Sequence, residues 1–196
     1  MSEFYIHFKS KTMNPCTLQK DAYKVAQKTW LCGGCCSPRP GAYAIDVQIQ
    51  ERKPEGPLNF LGGCSLSMAE VSFLMRFGCE RVDRDLFLGR VFGPDGEEIV
   101  EWVTFRARYG LIIRGTKHAG YRRCERCGRG LYFAMGKQYL CSQPRKDVEL
   151  FEGGISSLIV PGWLAVECDM INAVGVTVDR LEVVEHPLDG LPHIVS

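Results

Sequence analysis

Cys124-Glu-Arg-Cys127-Gly128, running on through RGLYFAMGKQY to Leu140, is a cysteine pair closed by a glycine and followed at once by apolar residues. Two cysteines with two residues between them fold into a tight knuckle whose backbone N–H groups face the sulfurs. A glycine after the second cysteine tolerates the positive φ that such turns often need. The run RGLYFAMGKQYL then reads as a short hairpin growing out of the knuckle, the order in which zinc ribbons are built: knuckle, strand, turn, strand.

Working outward, a second pair lies upstream at Cys32-Gly-Gly-Cys35, so that four thiolates in two tight turns are available for a tetrahedral Zn²⁺ site. The upstream pair reads CGGCC, with Cys36 where a glycine is expected, so either Cys35 or Cys36 serves as its second ligand. Between Cys35 and Cys124 lie 88 residues, against roughly 15–20 between the pairs of common structural zinc motifs. An insertion with its own core can still bring its ends together, because loop closure entropy grows only logarithmically with length. The leading expectation is one four-cysteine site of Cys32, Cys35, Cys124 and Cys127. The rival is two local sites, one from Cys16, Cys32, Cys35 and Cys36, the other from His118, Cys124, Cys127 and Cys141. A redox CxxC usually sits at the start of a helix after a strand, and neither pair clearly does.

Composition supports a globular chain: 196 residues, 45% hydrophobic and 24% charged, suffice for one core or two small ones and argue against disorder. The start, MSEFYIHFKSKT, has no apolar h-region, and the longest apolar stretch, 158–166, is broken by Pro161 and is far short of the roughly 20 residues a membrane helix requires. These features point to a soluble, cytoplasmic protein with reduced thiols. Cys16, Cys64, Cys79 and Cys168 read as small buried hydrophobes.

Net charge is +1, yet residues 104–146 carry eleven Lys or Arg against one acid, and residues 147–196 carry nine acids against one base. Either the two stretches neutralise each other within the fold, or they present charged surface to a partner.

Phe4, Ile6 and Phe8 alternate as in a strand, residues 17–28 pattern as a helix, and residues 43–50 alternate as a strand with one wet face. Ser67-Met-Ala-Glu70 has the form of a capping box opening a helix with Met68, Val71, Leu74 and Met75 on one stripe, ended by Gly78. Pro94-Asp95-Gly96 lies between two apolar runs and predicts a hairpin of strands near 86–92 and 99–109. Residues 156–160 read as a strand, 164–174 as a short helix closed by Gly175, and 176–184 as a last strand. The expected fold is α+β: a mixed or antiparallel sheet with a few short helices and a zinc-ribbon-like four-cysteine module at one edge. Residues 1–196 form a single domain, the module is made by 30–36 and 121–141, and 37–120 is a folded insertion.

Signatures of catalysis are missing: there is no HExxH, P-loop, GxGxxG after a strand, or GxSxG elbow. A zinc held by four cysteines has no open coordination position and is structural. A binding protein is therefore expected rather than an enzyme.

The stretch Trp30-Leu-Cys-Gly-Gly-Cys-Cys36 followed by Tyr43 and Asp46, the later CERCGRGLYF at 124–133, and LIVPGWLAVECDMINAVGV at 158–176 together resemble the double-CXXCG motif proteins, first seen as paralogues in myxobacteria. The resemblance implies Cys32, Cys35, Cys124 and Cys127 as motif cysteines and Gly128 as a motif glycine, with Cys36 a departure from the pattern. It further implies a cytoplasmic immunity protein that binds and neutralises a cognate toxin, with no chemistry of its own. A basic toxin would suit the acids Glu167, Asp169, Asp179, Glu182 and Glu185 as partner-binding residues. The alternative is a zinc-ribbon nucleic-acid binder using residues 106–146, where Tyr109, Tyr121, Tyr132, Phe133 and Tyr139 interleave with Lys and Arg as suits single strands.

Overall fold

The computed structural model describes residues 4–11, 14–36, 39, 46–62, 66–128, 130–141, 144–153 and 157–185, with the side chains at 131–133 outside that description. Tyr43 and Ile45 of the expected strand, Ser156, and Cys64 lie outside the described residues. In chain order the elements are β1 (Phe4–Ser10), α1 (Lys20–Thr29), β2 (Val47–Gln48), β3 (Leu58–Phe60), β4 (Ser67–Glu70), α2 (Val71–Met75), α3 (Cys79–Asp85), β5 (Leu86–Phe92), β6 (Glu98–Ala107), β7 (Ile113–Arg123), β8 (Gly130–Leu140), β9 (Ser157–Pro161), α4 (Gly162–Glu167) and β10 (Val176–Val183).

They form an α+β fold with two mixed five-stranded sheets, ordered β7-β8-β10-β1-β9 and β2-β5-β6-β4-β3. The β8–β10 and β2–β5 pairings are parallel and the rest antiparallel. Period-two alternation sends Ile6 and Phe8 of β1 into a core built from both sheets and three helices, where they meet Leu158, Leu58, Phe105, Phe73, Val82 and Leu164. Phe8, Phe73 and Phe77 pack there with ring centroids 5.8–5.9 Å apart, each burial contributing roughly 1.5–3 kcal/mol. The opposite face of β1 is covered too: Tyr5 joins Phe151, Ile159 and Leu181. A third core places α1, through Ala26 and the following Trp30 and Leu31, against Val47, Met68, Val91 and Trp102 of the second sheet.

Because both faces of β1 are covered, His7 is buried with neither ring nitrogen hydrogen-bonded. Burial first, then the charge of Lys9, pulls its pKa down to about 4, with Asp179 opposing. The folded state thus holds the neutral ring, while the unfolded chain takes up a proton near pH 6.5. Stability is full above that pH and falls as pH drops toward 4, by roughly 3 kcal/mol over the whole window. A His7→Leu variant is expected to flatten this dependence. Melting temperatures of both proteins at pH 7 and pH 4.5 check it, and equal acid losses would refute it.

Three local expectations are corrected. Ser67–Glu70 is a strand, not the first turn of a helix: Ser67, Met68 and Ala69 are buried between β3 and β6, and α2 begins only at Val71 with no side-chain cap. Tertiary pairing and burial on both faces outweigh a local capping signal. Helix α4 starts earlier than expected, at Gly162, and ends at Glu167 rather than near 174. A Cβ at Gly162 would collide with the Phe4 ring, and Asp169 turns left-handed at φ 52, so that the N–H groups of Asp169 and Met170 close the end onto Val166 and Ala165 carbonyls. Finally, residues 130–140 are one strand rather than a hairpin. The partner of β8 is β7, upstream of the knuckle, and Gly136, at φ 72, is a glycine within the strand and not a turn between two. Other expectations land close: the 86–92 and 99–109 hairpin is β5–β6 with Gly96 at φ 80, and the 17–28 helix is α1, shifted to Lys20–Thr29.

Candidate metal centre

Two elements of unrelated sequence position carry the cysteines to one place. Helix α1 ends at Thr29, and buried Trp30 and Leu31 anchor the chain as it enters the first knuckle. On the exit side, the Arg39 N–H donates to the Trp30 carbonyl and its guanidinium to the Leu31 carbonyl. The second knuckle is the tip of the β7–β8 hairpin, at the edge of the first sheet. β8 joins that sheet only through Tyr139 and Leu140, opposite Glu182 and Val183.

The knuckles are near copies. In one the N–H of Cys36 donates to the Cys32 carbonyl, in the other the N–H of Gly128 donates to the Cys124 carbonyl, both at 2.8 Å. The residue after each second cysteine is left-handed, Gly128 at φ 70 and Cys36 at φ 54. Cys36 therefore occupies the glycine position of the turn and is the one residue strained by it. Its replacement by glycine removes a left-handed cost of about 1–2 kcal/mol, offset in part by glycine's larger loss of chain entropy. A Cys36→Gly variant is expected to keep its metal content and gain up to about 1 kcal/mol in chemical denaturation, and loss of metal on that change would overturn the assignment of Cys35.

The Cys32 and Cys124 sulfurs are 3.7 Å apart, as are those of Cys35 and Cys127, and all four lie within 4.8 Å of one another. A disulfide would require about 2.05 Å. Four sulfurs at about 2.3 Å from a tetrahedral zinc stand about 3.8 Å apart, so the spacing fits a metal shared by both pairs. Cys32 and Cys124 are buried, Cys35 and Cys127 half-buried. Thiolates are what a metal binds, and the backbone favours them: the Gly34 N–H, which reaches the Cys32 sulfur at 3.4 Å, and then that of Cys35 bring Cys32 down to about 6. The N–H groups of Cys127 and Arg126 lower Cys124 in the same way.

The two-site arrangement is not what the chain builds. Cys16 is buried in the α1 core, its thiol pushed up to about 12 by burial and then by Glu51 and Glu55, and His118 is exposed in mid-strand on β7. Among the described residues, Cys32, Cys35, Cys124 and Cys127 are the one group of three or more His, Cys, Asp or Glu close enough to hold a metal ion. Of the other cysteines expected to be buried hydrophobes, Cys79 is exposed at the start of α3 and Cys168 half-buried.

Arg126 was not evident from sequence. It packs across the first knuckle: a Cβ at Gly33 would lie 2.7 Å from its guanidinium, and one at Gly34 would lie 3.3 Å from its Cγ and 3.0 Å from the Cys124 sulfur. The Gly-Gly pair inside the first knuckle is thus explained by the close approach of the second. A glycine pair signals such an approach but does not say what approaches.

The five acids expected at a partner surface do not share one. Asp179 pairs with Lys9, Glu182 with Lys137 at 2.8 Å, and Glu167 with Arg81 at 3.5 Å. Asp179 and Glu182, three apart on β10, point to opposite faces of the sheet, and Glu185 is exposed beyond its end. Only Glu167 and Asp169 stand together, at the end of α4. With Glu152 bound to Arg106 and Glu149 to Arg81 and Arg84, much of the acidic stretch is neutralised within the fold. Of the interleaved aromatics, Tyr139 is core, Tyr109 lies under the Arg145 guanidinium at 4.5 Å, and the Tyr132 and Phe133 side chains lie outside the described residues. Among the described residues no helix is long and apolar enough to cross a membrane. No protein-family model matches the chain, and no curated protein matches it.

Proposed function

We propose that the protein is a zinc-stabilised immunity protein, acting in the cytoplasm by binding and blocking a cognate toxin, with no catalysis of its own. Zinc is the metal proposed because four thiolates in tetrahedral spacing suit Zn²⁺ or an iron–sulfur centre, and a mononuclear site filled by four protein sulfurs leaves no position for substrate. Elemental analysis with a visible spectrum separates the two: zinc is colourless, iron–sulfur is not.

The observation that carries the binding role is an exposed apolar surface. Trp163 and Val166 on α4 are 50% and 58% exposed, and Ile171 and Val174, the latter 91% exposed, follow within eight residues in the turns after it. Glu167 and Asp169 lie between them in sequence. Exposed apolar side chains grouped on one surface mark protein–protein contacts, and tryptophan is among the commonest strong anchors. The acidic pair suits a basic toxin. Coexpression with the products of the genes that flank its own tests the reading: rescue of growth from a toxic product and a co-eluting complex are expected, with Trp163→Ala weakening the complex by about 2 kcal/mol, or about thirtyfold. Absence of both rescue and complex would overturn it.

A further inference from the structure

The β7–β8 hairpin does more than carry the second knuckle. Beyond its two-residue junction with β10 it leaves the sheet, and on β7 residues 116–120, 122 and 123 are all exposed, with Tyr121 half-buried among them. On it stand Lys117, Arg122 and Arg123, with Arg126 at the tip, and the nearest acid in sequence is Glu125. Elsewhere Arg81, Arg84, Arg90, Arg106 and Arg145 each hold a carboxylate. Lys137 of the ribbon pairs with Glu182, whereas Lys117, Arg122, Arg123 and Arg126 pair with no acid among the described residues. An isolated two-stranded ribbon is marginal in water, and here its tip packs against the first knuckle through Arg126, over Gly33 and Gly34.

We propose that this ribbon is a docking surface for B-form duplex DNA, held through phosphate contacts from Lys117, Arg122 and Arg123. A two-stranded ribbon fits the major groove, about 12 Å wide, and the segment from Thr116 to Arg123 extends about 25 Å, enough to cross it and reach both walls. Duplex is the occupant because two paired strands match the width of a groove; the described rings of the distal ribbon are half-buried Tyr121 and exposed His118. This goes beyond the immunity reading and does not depend on it.

The test is fluorescence anisotropy with the purified full chain, a labelled duplex of about 20 base pairs and the matching single strand, across about 25–200 mM salt. Three or four phosphate contacts give a slope of log K against log salt of about −3 to −4. The triple variant Lys117→Gln/Arg122→Gln/Arg123→Gln is expected to lose about 2.7 of that slope and to bind at least about tenfold more weakly at low salt. The variant Lys20→Gln/Lys28→Gln/Lys53→Gln, which removes as much charge from exposed positions elsewhere, is expected to bind as the parent does. Metal content and melting temperature report folding of each, and should the triple variant unfold, Lys117→Glu alone, on β7 and away from the knuckle, is expected to reduce the slope in the same direction. No duplex binding at the lowest salt, equal losses in the two triple variants, or tighter binding of the single strand would each overturn the proposal. Ribbon charges needed for a protein complex but not for duplex binding would do so as well.

Discussion

A Cys124→Ser variant is expected to contain no stoichiometric metal and to melt about 6–20 °C below the parent protein. Structural zinc supplies roughly 10–16 kcal/mol of apparent binding free energy in isolated fingers. Here three hydrophobic cores stand without it, so only the part that fixes the ribbon tip against the first knuckle is lost. A loss of about 3–5 kcal/mol corresponds to about 6–20 °C in a chain of this size, at about 2–4 °C per kcal/mol. Chelation of the parent protein should reproduce the shift, and Cys79→Ser, at an exposed thiol away from the cluster, should not. A Cys124→Ser protein with full metal content and unchanged melting would rule out the four-cysteine site.

Asp85→Ala is expected to cost about 3–5 kcal/mol, the range for breaking a buried charge network. Asp85 closes α3 with its side chain buried, accepting the Arg84 guanidinium at 2.7 and 2.8 Å and the N–H groups of Glu149 and Leu150 at 2.9 and 3.0 Å. Alanine would strand both N–H groups and loosen the segment that delivers Val148 and Leu150 to their cores. Burial alone would raise this carboxyl, yet the Arg84 hydrogen bond and the two N–H donors hold it below the usual carboxylate range. Its folded value is depressed, so its contribution is fully present above the unfolded carboxylate's titration near pH 4 and disappears as pH falls below that. The stability gap between the parent and Asp85→Ala should therefore be wide at pH 7 and narrow toward pH 2 in denaturant titrations. A constant gap would show that the carboxylate's charge is not what matters, and Asp85→Asn should fall between the two.

What the sequence made legible was local chemistry. Pro94-Asp95-Gly96 determines a turn by its own backbone preferences, and the two CxxC pairs determine knuckles in the same way. That the pairs meet was inferred from valence, since four ligands suit one tetrahedral ion, and the sulfur spacing agrees. Illegible were the features decided by distant partners. Ser67–Glu70 carries a helix-start pattern, yet β3 and β6 claim it as a strand. Residues 130–140 contain a glycine that reads as a turn, yet a strand from before the knuckle pairs along its length. The acids of the C-terminal stretch looked available in one dimension and are largely engaged in three, because Lys9, Lys137, Arg81 and Arg106 reach them from elements far away in the chain.

The place of β1 between β9 and β10 sets a timetable for biosynthesis. The first sheet cannot close until a segment beginning some ~150 residues after β1 has emerged, which at roughly 5–20 residues per second takes about 8–30 s. Throughout that interval Phe4-Tyr-Ile-His-Phe8, apolar and β-prone, has neither edge occupied and is open to other nascent chains. The second sheet, whose strands all lie between Val47 and Ala107, can assemble first and offer its face of the shared core as a template. Production of this protein should thus be limited by events at the ribosome, and faster elongation through the segment between β1 and β9 or a holdase that shields β1 should raise the soluble yield more than any change to the finished fold.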